Sequence, residues 1–230
     1  MTAVGTKQVT LTFDNGPDPE VTPRVLDVLA KHAILSSFFV IGDKLRDGGR
    51  RSLCQRARSE GHWIGNHTFN HLVPLGLSRH EGASSFEIGR TEELLGELAH
   101  ERKFFRPFGG QGHINTALLD QEAVTCLQEG KFTCVLWNAV PRDWELPNTW
   151  VEIAIAQCRA VVRPLLVIHD ISTGAMAHLE RFIVTARDSG MTFVQDFPED
   201  CVPMERGEVV RDMAPYVSAP RKPEEDQGFN

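Results

Sequence analysis

Apolar, β-branched runs of strand length recur at near-regular intervals along this chain, and the segments between them carry a helical period. Seven such runs stand out, at residues 9–14, 35–41, 62–65, 103–105, 132–137, 165–169 and 192–195. A first helix is expected to open at Thr22-Pro23, with Thr22 as N-cap and Pro23 at the first helical position, so that Val25, Leu26 and Leu29 share one face. Further helical periods cover residues 44–59, 78–100, 114–129, 147–163 and 175–189. Strand followed by helix, repeated, requires parallel strands joined by crossover helices, which defines an α/β fold. The period alone leaves two forms open, an open doubly wound sheet and a closed barrel.

At 230 residues the chain is long enough for one substantial core, and a single domain over 1–197 is the expectation. After Phe197 the composition turns to proline and charge with no sustained period, so 198–230 reads as a tail that first wraps the domain and then ends disordered. Lys and Arg number 24 against 31 Asp and Glu, a net charge of −7, which argues against holding a polyanion such as nucleic acid. No stretch approaches the roughly 18 to 20 consecutive apolar residues of a membrane-spanning helix, so no membrane partner is expected. The opening MTAVGTKQVTLTFD also lacks a basic patch followed by an apolar stretch, and the location expected from this is cytoplasmic. Five irregularly spaced cysteines fit neither a disulfide framework nor a metal knuckle and read as reduced, mostly buried thiols.

Polar residues collect at the downstream ends of the strand runs: Asp14-Asn15, then His67 and His71, Arg106, Asp143-Trp144 and His169-Asp170. In a parallel α/β protein those ends share one face, so residues far apart in sequence converge there. The i, i+4 spacing of His67 and His71 would set two imidazoles about 5 to 6 Å apart on one side of a helical turn, which suits chelation of a divalent ion. Ordinary loop histidines remain the plain alternative for the pair taken alone; the acidic turn at Asp14 favours the ligand reading. In that turn Gly16 and Pro17 force a sharp bend that leaves Asp14 and Asn15 at the mouth of the fold, where an Asx-turn with a helix cap is the competing explanation. Arg106 read alone could be a structural ion-pair arginine, Trp144 and Leu166 core residues, and His169-Asp170 a buried histidine with a satisfied partner.

The segments T-F-D-N-G-P (12–17), H-T-F-N-H (67–71), F-R-P-F-G-G (105–110), P-R-D-W (141–144) and L-V-I-H-D (166–170) resemble, in order, the five motifs of the polysaccharide deacetylases. These are the carbohydrate esterase family 4 enzymes with the NodB homology domain, and the resemblance spans about residues 9 to 197. It implies a distorted (β/α) barrel with about seven parallel strands, and hydrolysis of the N-acetyl amide of an N-acetylated sugar, chitooligosaccharide or polysaccharide.

By the same resemblance Asp14 is the general base, Arg106 the arginine that orients it, His169 the general acid and Asp143 the residue that tunes that acid. Trp144 lines the groove, Leu166 belongs to the pocket for the acetyl methyl, and Gly109 offers a backbone N–H to the oxyanion. One divalent metal ion is implied on His67, His71 and position 15, zinc first, with cobalt, nickel or manganese as alternatives. Position 15 departs from the family, whose ligand there is Asp: Asn15 is neutral, so a loosely held ion is expected. Gly109 replaces a tyrosine, and Asn138 and Val140 replace two family carboxylates. Two other functions stay open on this sequence: a hydrolase of a small non-sugar amide or cyclic imide, working without metal, and a catalytically silent carbohydrate-binding protein. The oligomeric state is not legible.

Overall fold

The computed structural model describes residues 6–220. Its elements alternate as expected, β1 (Lys7–Asp14), α1 (Val21–Lys31), β2 (Ser37–Val40), α2 (Gly48–Ser59), β3 (Trp63–Asn66), α3 (Ala83–Leu95), β4 (Phe104–Phe105) and α4 (Gln121–Glu129). They continue with β5 (Thr133–Cys134), α5 (Trp150–Ala160), β6 (Leu165–His169), α6 (Leu179–Asp188) and β7 (Met191–Val194), followed by the short β8 (Met204–Glu205) and β9 (Glu208–Val209). The strands β1 to β7 are all parallel, and the sheet runs β6-β1-β2-β3-β4-β5-β8-β9. Strand β1 is shared: Lys7 to Thr10 pair with β7, and Thr10 to Asp14 pair with β6.

The sheet curls into a barrel-like form without closing. Beyond β5 the chain leaves its neighbour and meets β6 through one isolated parallel bridge, Ala139 to Leu166. That departure explains why the apolar run 132–137 yields a strand of only two residues, since Leu136 N–H donates to the Cys201 carbonyl rather than to a neighbouring parallel strand. The sheet also continues past Phe197: β8 pairs antiparallel with β5, and β9 with β8, in a segment where composition shows no period. The disorder expected at the chain end falls on 221–230, outside the described residues.

Alternation along β1 sorts the two faces. Val9, Leu11 and Phe13 pack with Leu26 and Leu29 of α1, Trp150 of α5 and Phe182 of α6 in the layer between sheet and helices. Full burial of each such side chain is worth about 1.5 to 3 kcal/mol. Thr10, Thr12 and Asp14 take the other face, all buried.

Two helices start later than their periods suggest because a side-chain cap sets the first turn. Asp47 accepts from Arg50 N–H at 2.8 Å to open α2, and Asp120 accepts from Ala123 N–H at 2.7 Å to open α4. Thr22 is not a cap. Asp18 Oδ1 accepts the N–H of Val21 at 3.0 Å, which frees the Thr22 hydroxyl to donate to the buried carboxylate of Asp170. All five cysteines are free; Cys126 is half-buried, and burial pushes the thiols of Cys54, Cys134, Cys158 and Cys201 up to about 12, which makes them poor nucleophiles. Among the described residues no helix is long and apolar enough to cross a membrane.

Candidate active site

Register brings the chemistry together. Asp14 and His169 end adjacent parallel strands and are direct partners across β1 and β6. Asn66 and Phe105 are partners across β3 and β4, so the next residues, His67 and Arg106, emerge side by side at the same end of the sheet.

Arg106 has no exposed surface, and its guanidinium is held from every side. It donates from Nη1 to Asp14 Oδ1 at 2.7 Å and to Thr12 Oγ1 at 2.8 Å, from Nε to the Val135 carbonyl at 3.2 Å, and from Nη2 to the Leu136 carbonyl at 3.3 Å. Its Cζ lies 3.9 Å from the centre of the Phe39 ring. One oxygen of Asp14 is thereby fixed, while the other, Oδ2, stands 3.6 Å from His67 Nε2. Across the pocket His169 Nδ1 donates to Asp143 Oδ1 at 2.8 Å, and its backbone N–H donates to Asp143 Oδ2 at 2.9 Å. Burial alone would lower the imidazole pKa of His169, but the Asp143 hydrogen bond and charge outweigh it and raise the value. Trp144 meets that imidazole edge-on, with ring centres 4.8 Å apart.

The two histidines of the H-T-F-N-H segment do not lie on a helical turn. Thr68 and His71 adopt left-handed backbone conformations, φ +66° and +54°, so the loop after β3 doubles back and turns the imidazoles toward each other. Their Nε2 atoms are 3.1 Å apart. Sequence reasoning missed what holds this loop. Glu87 of α3 accepts the backbone N–H groups of Phe69 and Asn70 at 2.7 and 2.8 Å and the Asn70 side-chain amide at 2.8 Å, and no local pattern links residue 87 to residue 70.

His67 Nδ1 faces the Arg106 carbonyl at 2.8 Å, an acceptor only, so Nδ1 carries the hydrogen and Nε2 presents a lone pair. Burial takes both imidazoles down to about 3, and each is neutral at neutral pH. Asn15, held at φ +72°, leaves its buried Oδ1 without a hydrogen-bond partner. Two neutral imidazole nitrogens and an orphaned amide oxygen beside one pocket fit a divalent ion, with no net ligand charge to offset it. Among the described residues no group of three or more His, Cys, Asp or Glu side chains is arranged as a metal site, and the Asn15 amide lines the same cavity as the two imidazoles.

The depressed imidazoles carry a pH signature. Above the ordinary value near 6.5 neither folded nor unfolded chain binds these two protons; as pH falls from there toward about 3, only the unfolded chain takes them up, and stability is lost over that interval. Thermal melts in chelator at pH 7, 6, 5 and 4 are expected to show a steeper fall for the parent than for a His67→Asn, His71→Asn double variant. Equal slopes would contradict the assignment.

Most of the expected residues line one cavity of about 320 Å³: Asp14, Asn15, His67, His71, Gly109, Trp144 and His169 all face it. Arg106 and Asp143, both fully buried, support it from behind. Leu166 does not reach it. On a strand, residues 167 and 169 share a face and 166 lies on the opposite one, so Leu166 joins Ile168 in the core against the helices, and Val167 forms the pocket wall instead. Phe108, 3.9 Å from the His71 ring, and Trp137 complete the walls. Trp137 was discoverable as the aromatic that ends the fifth apolar run.

A carboxylate and an imidazole locked in position at the carboxyl end of parallel strands, with two neutral imidazoles beside them, define a hydrolase of the (β/α)-barrel class. The chain belongs to the polysaccharide deacetylase family, the carbohydrate esterase family 4 enzymes with the NodB domain, whose profile matches residues 2–125. It is 32% identical over 169 residues to a chitooligosaccharide deacetylase of Sinorhizobium fredii, spanning 72% of this chain and 73% of that protein. A peptidoglycan-N-acetylglucosamine deacetylase of Bacillus cereus is 30% identical over 193 residues, 82% of this chain and 85% of that one. Among solved structures, a family 4 acetyl xylan esterase from Clostridium thermocellum in complex with a cobalt ion superposes with a TM-score of 0.65 at 28% identity, covering 82% of this chain and 87% of its own. The family is metal-dependent.

Proposed function

We propose that this chain removes the acetyl group from an N-acetylated sugar by metal-dependent hydrolysis of the amide, releasing acetate. The observation that carries the proposal is the facing pair Asp14 and His169, direct partners in register, one clamped by Arg106 and the other by Asp143.

Amide hydrolysis needs a proton taken from water, stabilisation of the tetrahedral oxyanion and a proton given to the departing nitrogen. Asp14 suits the first of these, because Arg106 occupies Oδ1 and leaves Oδ2 to accept from a water in the pocket. His169 suits the third, since Asp143 fixes Nδ1–H, stabilises the imidazolium and points Nε2 toward the cavity. Gly109 would offer its backbone N–H to the oxyanion. His67, His71 and Asn15 would hold the divalent ion, which supplies Lewis acidity toward the carbonyl and toward water when bound. Trp144 and Val167 wall the cavity beside His169, and Val167 would take the place beside the acetyl methyl expected of Leu166.

Acetate release from chitooligosaccharides, measured after chelation and after adding back zinc or cobalt, tests this: activity is expected to vanish and return. Turnover that ignores the chelator would favour a metal-free amidase, and bound sugar with no acetate under any metal would favour a silent binding protein. Asn15→Asp adds a negative charge to the ligand set and is expected to tighten zinc binding about tenfold or more, read by competition with a chromogenic chelator. Equal affinity in both proteins would remove Asn15 from the ligand set.

A further inference from the structure

A turn of five residues, Gly42–Arg46, follows β2 and ties the two halves of the candidate metal site together. Its first backbone groups reach the histidine loop: Gly42 N–H donates to the Thr68 carbonyl at 2.9 Å, and Asp43 N–H donates to the Phe69 carbonyl at 3.0 Å. The next residue reaches the acidic turn instead, Lys44 Nζ donating to the Asn15 carbonyl at 2.6 Å. Consecutive residues therefore hold both the loop that carries His67 and His71 and the main chain that carries Asn15.

The main chain at 15–17 is caught at every carbonyl. Besides Lys44 on Asn15, Ile41 N–H donates to the Gly16 carbonyl at 3.1 Å and Arg50 Nη1 to the Pro17 carbonyl at 2.7 Å. Asp170 closes on the same turn. A Cβ on Gly16 would fall on the carboxylate oxygens of Asp170, which the Thr22 hydroxyl holds, so only glycine fits there. Asn15 is thereby kept in the left-handed region at φ +72°, with its Oδ1 buried and unpartnered in a residue that lines the cavity.

An amide oxygen is neutral and competes poorly with water for a cation, so it ligates well only where the main chain delivers it already oriented. Lys44 donates to the main-chain oxygen of Asn15 and leaves the side-chain oxygen free. Its charge acts in the opposite sense, because an ammonium close to a metal site repels the ion. Removing the ammonium therefore weakens metal binding if orientation dominates and tightens it if charge dominates.

We propose, resting on the ligand assignment above, that Lys44 is a positioning residue of the metal site, fixing the Asn15 main chain so that its amide meets the ion held by His67 and His71.

The test reads zinc affinity of the full chain by competition with a chromogenic chelator, with thermal melts in chelator as the check on folding. Lys44→Met is expected to weaken zinc about tenfold or more, the order of loss when an outer partner of a metal ligand is removed, and Lys44→Arg to stay within about threefold of the parent. Lys44→Gln keeps an N–H donor on a shorter stem and is expected to weaken zinc in the same direction, which serves if Lys44→Met does not fold. Asn15→Gly removes the amide while suiting a positive φ, and it is expected to weaken zinc as well. Because Lys44 acts through Asn15, adding Lys44→Met to Asn15→Gly is expected to cost less than a further threefold or so. A full, additive loss in that double variant overturns the inference. Zinc held by Lys44→Met and Lys44→Gln as tightly as by the parent, or more tightly, also overturns it, even where the melting temperature falls; with Asn15→Gly weakened, the ligand set still stands. Parent affinity in Asn15→Gly overturns both.

Discussion

Arg106→Met is expected to lower the melting temperature by roughly 6 to 20 °C and to abolish acetate release. Both effects have one cause. The guanidinium is fully buried and donates four hydrogen bonds, and one acceptor, Asp14, is itself a buried carboxylate. Removing one member of a buried pair leaves the other charged without compensation, at a cost of about 3 to 5 kcal/mol, whereas removing both charges together costs less. Arg106→Met combined with Asp14→Leu should therefore melt above Arg106→Met alone while remaining inactive. A double variant less stable than the single one would mean that Arg106 supports the barrel through Thr12 and the two carbonyls rather than through Asp14. Wild-type turnover in Arg106→Met would remove Arg106 from the role of orienting Asp14.

The second large effect is expected at the opposite wall. His169→Ala should cut kcat by about 10² to 10⁴, the range for loss of a positioned proton donor, with little change in zinc affinity. The melting temperature should fall as well, because truncation leaves the fully buried Asp143 carboxylate without its imidazole partner. The sign of the pH dependence follows from the raised pKa: the acid acts in its protonated form, so the rate is full below that pKa and falls as pH rises through it. Asp143→Asn withdraws the charge that raises it and should move the alkaline limb of kcat to lower pH. A limb that stays in place, with a rate loss as large as in His169→Ala, would show Asp143 acting on structure alone.

The site was legible in the sequence where chemistry coincides with strand ends. Asp14, His67, Arg106 and His169 are each the last residue of a strand run or within two of it, and parallel pairing carries such ends to one face. The missed features are tertiary. Glu87 and Trp137 act across 17 or more residues of separation through contacts with backbone groups, a signal no local pattern contains. Leu166 failed by one residue, and on a strand one residue is the whole difference between pocket and core. The His67–His71 pair was found for a helical reason that does not hold, since two left-handed residues, and not a helical turn, bring the rings together.

By itself the order of residues determined that strands and helices alternate, that the strands are parallel, and that carboxylate, imidazole and guanidinium meet at their downstream ends, because periodicity and pairing direction are local properties that survive any choice of closure. Tertiary structure alone decided that the sheet curls without closing, that Val167 rather than Leu166 faces the cavity, and that Trp137 forms one of its walls. Those outcomes depend on which atoms meet across the barrel mouth, and van der Waals exclusion between segments remote in sequence is written in no single segment.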